Sequence, residues 1–137
     1  MSVRILIVED YEPYRRFICS TLRKKAELQI IGEVSDGPEA VEKAEELKPD
    51  LVLLDIGLPS LDGIEVARRI HELVPDSKIV FLSMEHSLDV VQKAFELGAL
   101  GYIEKLSSAA NILAAVEAVC QGKRYVSLSH LPRQWRT

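Results

Sequence analysis

Residues 1–124 predict a single α/β domain built on a parallel sheet, and three observations carry that expectation. Five short runs rich in Ile, Val and Leu alternate with five longer segments whose apolar residues recur at three- and four-residue spacing. The short runs are apolar throughout, as strands buried on both faces are, rather than alternating with polar residues. The chain has 137 residues, 47% of them hydrophobic, a single-domain length that can bury a real core without disulfide or metal staples.

The elements follow in order. RILIV (4–8) is the first strand, and Phe17, Ile18 and Leu22 mark the helix after it. QIIGEV (29–34) is the second. Its helix opens at Asp36-Gly37-Pro38, carries Ala40, Val41, Ala44 and Leu47, and ends at Lys48-Pro49. LVLL (51–54) is the third strand, after which Asp62-Gly63 turns into a helix capped by Asp62, lined by Ile64, Val66, Ala67, Ile70 and Leu73, and closed by Pro75. KIVFL (78–82) is the fourth, followed by a helix with Ser87 as N-cap and Val90, Val91, Ala94, Phe95 and Leu97 along it. LGYI (100–103) is the fifth, and Ile112, Leu113, Val116 and Val119 mark the last helix. Gly98 and Gly122 fall where left-handed C-terminal caps are wanted. Right-handed crossovers between five such units leave few topologies, and the flavodoxin-like order 2-1-3-4-5 is the common one. Periodicity stops after Gly122, so residues 125–137 are expected to form a C-terminal tail or linker.

A net charge of −4 argues against general adhesion of this segment to nucleic acid or membrane. Cys19 and Cys120 stand alone on the first and last helices and read as buried apolar thiols. His71, His86 and His130 share no pattern. The opening apolar run is too short for a signal peptide or a membrane span. A cytoplasmic, reducing location is expected.

Ligands of open α/β sheets bind beyond the carboxyl ends of the strands, where strand order reverses. Here that point lies between strands one and three, which end in Glu9-Asp10 and Asp55. Three carboxylates meeting in one pocket repel, and a hard divalent cation such as Mg²⁺ removes the conflict. Gly57 lets its backbone carbonyl approach such an ion. Strand four ends in the hydroxyl of Ser83, and Lys105 follows strand five as a compact cation for a phosphate oxygen. The set suits phosphoryl transfer onto Asp55 as a carboxylate nucleophile. Plainer readings stand beside it. Asp55 and Asp10 could cap the following turn and helix, Ser83 could be a loop hydroxyl, and Lys105 a solvated charge. Pro59 reads as a turn former.

ILIVED (5–10), LLDIGLPSLDG (53–63), FLSM (81–84) and GALGYIEK (98–105) together resemble the receiver domain of two-component response regulators. GYIEK and VCQGKRYVS resemble the NarL/LuxR-type branch most, whose members usually carry a C-terminal helix-turn-helix. The resemblance implies phosphorelay signal transduction. Asp55 accepts the phosphoryl group in a Mg²⁺-dependent reaction, and Asp10, Asp55 and the Gly57 carbonyl bind the metal, with Glu9 helping through water. Ser83 and Lys105 contact the phosphoryl oxygens, and Tyr102 matches an aromatic switch position, although a tyrosine on a short edge strand is also a packing residue. The donor is a sensor histidine kinase or a small phosphodonor. By analogy with the branch, the first and last helices offer a homodimer face, and the chain is the receiver of a transcription regulator. The sequence departs from the family at Gly57, where members often have a larger residue, and at Leu106, where many have Pro or Asp. Two rivals remain. One is a degenerate receiver acting only as a protein-interaction module. The other is a phosphohydrolase, disfavoured because such enzymes typically carry a second Asp where Gly57 stands. The chain is not expected to be a classical enzyme.

Overall fold

Burial on both faces of one sheet explains the unbroken apolar runs. The structure, a computed structural model, describes residues 2–58, 61–84 and 88–127. Pro59, His86, Ser87, His130 and the tail beyond 127 lie outside the described residues. The strands are β1 (Val3–Val8), β2 (Leu28–Val34), β3 (Leu51–Asp55), β4 (Lys78–Ser83), β5 (Gly101–Glu104) and β6 (Tyr125–Ser127). Between them run α1 (Glu12–Leu22), α2 (Gly37–Leu47), α3 (Gly63–Leu73), α4 (Leu88–Glu96) and α5 (Ala109–Cys120). All pairings are parallel, in the order β2-β1-β3-β4-β5-β6. The expected 2-1-3-4-5 core is therefore present, extended by one strand.

Alternate residues of each strand serve two separate cores. Leu6, Val8, Val52, Leu54, Phe81 and Tyr102 pack with α2, α3 and α4. Ile5, Ile7, Leu51, Leu53, Val80 and Leu82 pack with α1 and α5. Every residue of β3, the middle of the sheet, is buried. Cys19 lies inside the second core and Cys120 packs half-buried against it. Burial, with the Glu33 carboxylate adding to it, pushes the Cys19 thiol up to about 11, the behaviour of an inert structural thiol.

Local chemistry sets the boundaries. The Asp36 side chain accepts from the Glu39 N–H at the start of α2, and Asp62 accepts from the Ile64 and Glu65 N–H groups at the start of α3. Gly98 and Gly122 adopt the positive φ expected of them, at +98° and +81°. Lys48, closing α2 at φ +47°, does so without being glycine. At helix α1 the plainer reading of Asp10 as a cap does not hold. The N-cap of α1 is Tyr11, with no side-chain cap bond, so Asp10 does not spend its carboxylate on the helix.

The tail also departs from its sequence reading. Residues 125–127, expected in a linker, form β6 against Gly101–Ile103. Three further contacts fasten the segment. The Tyr125 N–H donates to the Leu100 carbonyl, the Ser107 and Ser127 hydroxyls lie 2.9 Å apart, and the Arg124 guanidinium sits 4.4 Å from the centre of the Phe95 ring. Tyr102 is thus on an inner strand rather than an edge.

Candidate functional site

Register brings the acidic groups together. Val8 pairs with Leu54 across β1 and β3, so the next residues, Glu9 and Asp55, emerge side by side at the carboxyl end of the sheet. Glu9, Asp10 and Asp55 each offer a carboxylate oxygen, and these atoms lie within 4.8 Å of one another. Glu9 and Asp55 are buried, whereas Asp10 is exposed.

Lys105 closes the cluster. Its ammonium lies 2.7 Å from Glu9 Oε1 and 3.3 Å from Asp55 Oδ2, with little of the side chain reaching solvent. The backbone positions it, because the Lys105 N–H donates to the Ser83 carbonyl at 2.8 Å. Ser83 is itself fully buried and pairs with Glu104 one residue beyond the Asp55–Leu82 pair. The other contacts fix the carboxylates. Tyr11 N–H donates to Glu9 Oε2 at 3.0 Å, and Gly57 N–H donates to Asp55 Oδ1 at 2.9 Å.

One ammonium against three carboxylates leaves the cluster short of positive charge. Burial drives the Glu9 carboxyl up to about 7, and the Asp55 charge adds to this against the opposing pull of Lys105 and the Tyr11 N–H. Burial also raises Asp55, with Asp10 adding to it and the Gly57 N–H and Lys105 opposing. For Asp10, burial would raise the carboxyl, but its contacts with Asp55 and Glu9 win and hold it below the usual range. Hard oxygen donors with unbalanced negative charge are the donor set that suits Mg²⁺. Apart from the ammonium, Glu9 Oε1 meets no donor among the described residues.

A pH dependence follows. Without metal, Glu9 has a folded-state value of about 7 against an ordinary 4.5. A raised carboxyl contributes stability that is complete below the ordinary value and is lost as pH rises through the folded one. Asp10 works in the opposite direction, so the informative quantity is the difference between wild type and Glu9→Gln. In EDTA this difference should fall by roughly 3 kcal/mol as pH rises through this window, because each tenfold change in proton affinity is worth about 1.4 kcal/mol. Urea midpoints at several pH values measure it, and a flat difference would contradict the assigned cause.

Other predicted site residues are also located. Among the described residues, a side chain at Gly57 would meet only Asp55 Oδ1, at an ordinary 3.7 Å. Close packing therefore does not account for the glycine, and a larger residue fits there. Tyr102 is fully buried, its ring 6.3 Å from that of Phe81 within the core facing α4. Leu106 is among the most exposed apolar residues.

Two neighbours of the site escaped the sequence reading. Arg15 donates to the Glu9 backbone carbonyl at 2.9 Å and pairs with Glu33. Tyr14 places its ring beside Lys105. Their signal was helical spacing, since both sit one turn beyond Asp10 and point back to the same end of the sheet.

Comparison with known proteins agrees with this geometry. Residues 5–117 match the response regulator receiver domain. The transcriptional regulatory protein LiaR of Bacillus subtilis is 37% identical over 121 residues, covering 88% of this chain and 57% of LiaR. The chain thus spans little more than half the length of that relative. A LuxR-family two-component response regulator from Aurantimonas superposes with a TM-score of 0.88 at 31% identity, over 93% of this chain and 91% of that one. The signal receiver domain of NarL from Mycobacterium tuberculosis gives 0.82 at 29% identity, over 89% and 98%. The chain belongs to the response regulator receiver domain family, and its relatives are of the NarL/LuxR type.

Proposed function

We propose that this chain is a phosphorylatable switch with Asp55 as acceptor. The observation that carries the reading is the convergence of Glu9, Asp10 and Asp55 with the Lys105 ammonium at the carboxyl end of the sheet. A carboxylate oxygen of Asp55 attacks phosphorus, and the bond from phosphorus to its donor breaks. The donor would be the phosphohistidine of a sensor histidine kinase or a small phosphodonor such as acetyl phosphate. Glu9, Asp10, Asp55 and the Gly57 backbone carbonyl would hold Mg²⁺, which when bound supplies neutralisation of the charge on the phosphoryl oxygens. Lys105 and Ser83 would bind those oxygens, the lysine moving from its carboxylate partners to the new anion.

The added group brings about −1.5 to −2 charge units and strong acceptors. Ser83 would turn toward those acceptors and Tyr102 would rotate into the vacated space, biasing the surface of α4 and β5. Receiver domains of this family are not classical enzymes, and here the transfer and the later hydrolysis would be catalysed by the domain on itself. The relatives' names support a role as the receiver of a transcription regulator, with a homodimer through α1 and α5 as one consequence of phosphorylation. The receiver unit covers 1–124 and the tail 125–137, with β6 docked onto the unit. No described helix is long and apolar enough to cross a membrane, and a cytoplasmic location belongs to this reading.

Incubation with acetyl phosphate and Mg²⁺, followed by intact-mass measurement, tests it. The wild type should gain one phosphoryl group, and EDTA or Asp55→Asn should abolish the gain. No gain, or one that survives Asp55→Asn, would favour a degenerate receiver that only docks partners. Release of phosphate far above stoichiometric would favour a phosphohydrolase.

A further inference from the structure

Tyr14, in the first turn of α1, lies against the cluster without belonging to it. The Lys105 ammonium sits over its ring, 5.2 Å from the centroid, within cation–π range. The Tyr14 hydroxyl oxygen is buried and meets no hydrogen-bond partner among the described residues. What Tyr14 offers here is therefore its ring. Phe17 packs against that ring with centroids 5.8 Å apart, which restrains it from the helix side.

We infer that Tyr14 is the positioning residue for Lys105. A lysine carries its charge on a flexible four-carbon stem, so something must keep the ammonium over Glu9 and Asp55. The carboxylates do so by charge alone, and a divalent cation bound to them competes for that charge. The ring does not share this weakness, because its attraction comes from the π face and requires no carboxylate. Tyr14 thus keeps Lys105 beside the cluster when the acids are engaged elsewhere, so that the ammonium is at hand for the new anion that phosphoryl acceptance creates. The inference rests on the proposed function only for that last consequence.

Lysine reactivity tests it independently. Reductive dimethylation with formaldehyde and borohydride is followed at Lys105 by peptide mass spectrometry, with exposed Lys24 as internal reference. Tyr14→Leu and Tyr14→Met, which fill the space without a π face, should raise the relative rate at Lys105 about fivefold. Tyr14→Phe should leave it at the wild-type value, and the gap should persist with Mg²⁺ present. Using two such variants guards against one that misfolds, which would raise Lys105 together with the half-buried Lys43 and Lys78. A wild-type rate in a folded aliphatic variant overturns the inference. So does a Tyr14→Phe rate matching the aliphatic ones, or a gap that closes in Mg²⁺. Phosphoryl gain from acetyl phosphate should slow about fivefold in the aliphatic variants and stay unchanged in Tyr14→Phe. A wild type that gains no phosphoryl group defeats the proposed function, and the lysine rates still decide Tyr14.

Discussion

Gly63→Ala is expected to destabilise the protein by about 3 kcal/mol or more, although alanine is ordinarily the better helix former by about 1 kcal/mol. Gly63 is the first residue of α3, and its N–H donates to the Ile56 carbonyl at 3.0 Å. A Cβ there would stand 2.5 Å from Ile56 Cα and 2.6 Å from the Asp55 carbonyl oxygen. Both obstacles are backbone, so no side-chain rotation relieves the clash. Relief would require lifting α3 from the sheet or displacing the turn in which Gly57 N–H holds the Asp55 carboxylate. Gly122 supplies the control. Its φ is +81° but, among the described residues, nothing lies within 4 Å of an added Cβ. Gly122→Ala should therefore cost only the left-handed backbone penalty, roughly 1–2 kcal/mol. Urea unfolding of both variants gives the comparison. Equal losses would show that backbone conformation, not close approach, governs both sites.

Lys105→Met should cost about 3 kcal/mol at pH 8 in the absence of metal. The substitution keeps the stem and removes the charge that faces Glu9 at 2.7 Å and Asp55 at 3.3 Å. Both carboxylates are buried, so an unopposed pair cannot simply turn to solvent. At pH 5 the loss should be less than half as large, because Glu9, already raised to about 7, then carries a proton. Mg²⁺ at pH 8 should restore part of the stability by supplying the missing positive charge. Phosphoryl gain should fall about a hundredfold, the usual scale for deleting one donor aimed at a developing charge. Urea midpoints at the two pH values, with and without Mg²⁺, and intact mass provide the readings. Undiminished stability at pH 8 would mean that Lys105 does not compensate these acids.

The parts of the fold and site that could be read in advance share a physical reason. Strands buried on both faces leave unbroken Ile/Val/Leu runs, so β1, β3 and β4 were plain. Once the order of parallel strands is known, residues just past their ends are neighbours, which is why Glu9, Asp10, Asp55 and Lys105 could be grouped. What escaped notice depends on contacts that leave no pattern in the chain. Tyr14 and Arg15 look like ordinary helix residues, and only the crossing of α1 over the site gives them a role. Tyr125–Ser127 is too short for periodicity and follows two cations, so its pairing with β5 arises from the waiting strand edge rather than from its own composition. The irregularity between β1 and β2, where Ile5 pairs with Ile30 but Leu6 with Gly32, is likewise a matter of fit. There, an added Cβ on Gly32 would come within 3.1 Å of Leu6.

The sheet acts as a bulkhead between two interiors that have no buried side chain in common. Damage on one side need not propagate to the other, so a cavity cut beside α5 and another beside α3 should combine additively. Evolution can then remodel either outer flank for a new associate while the acidic rim, fixed by the partition's own edge, stays as it was.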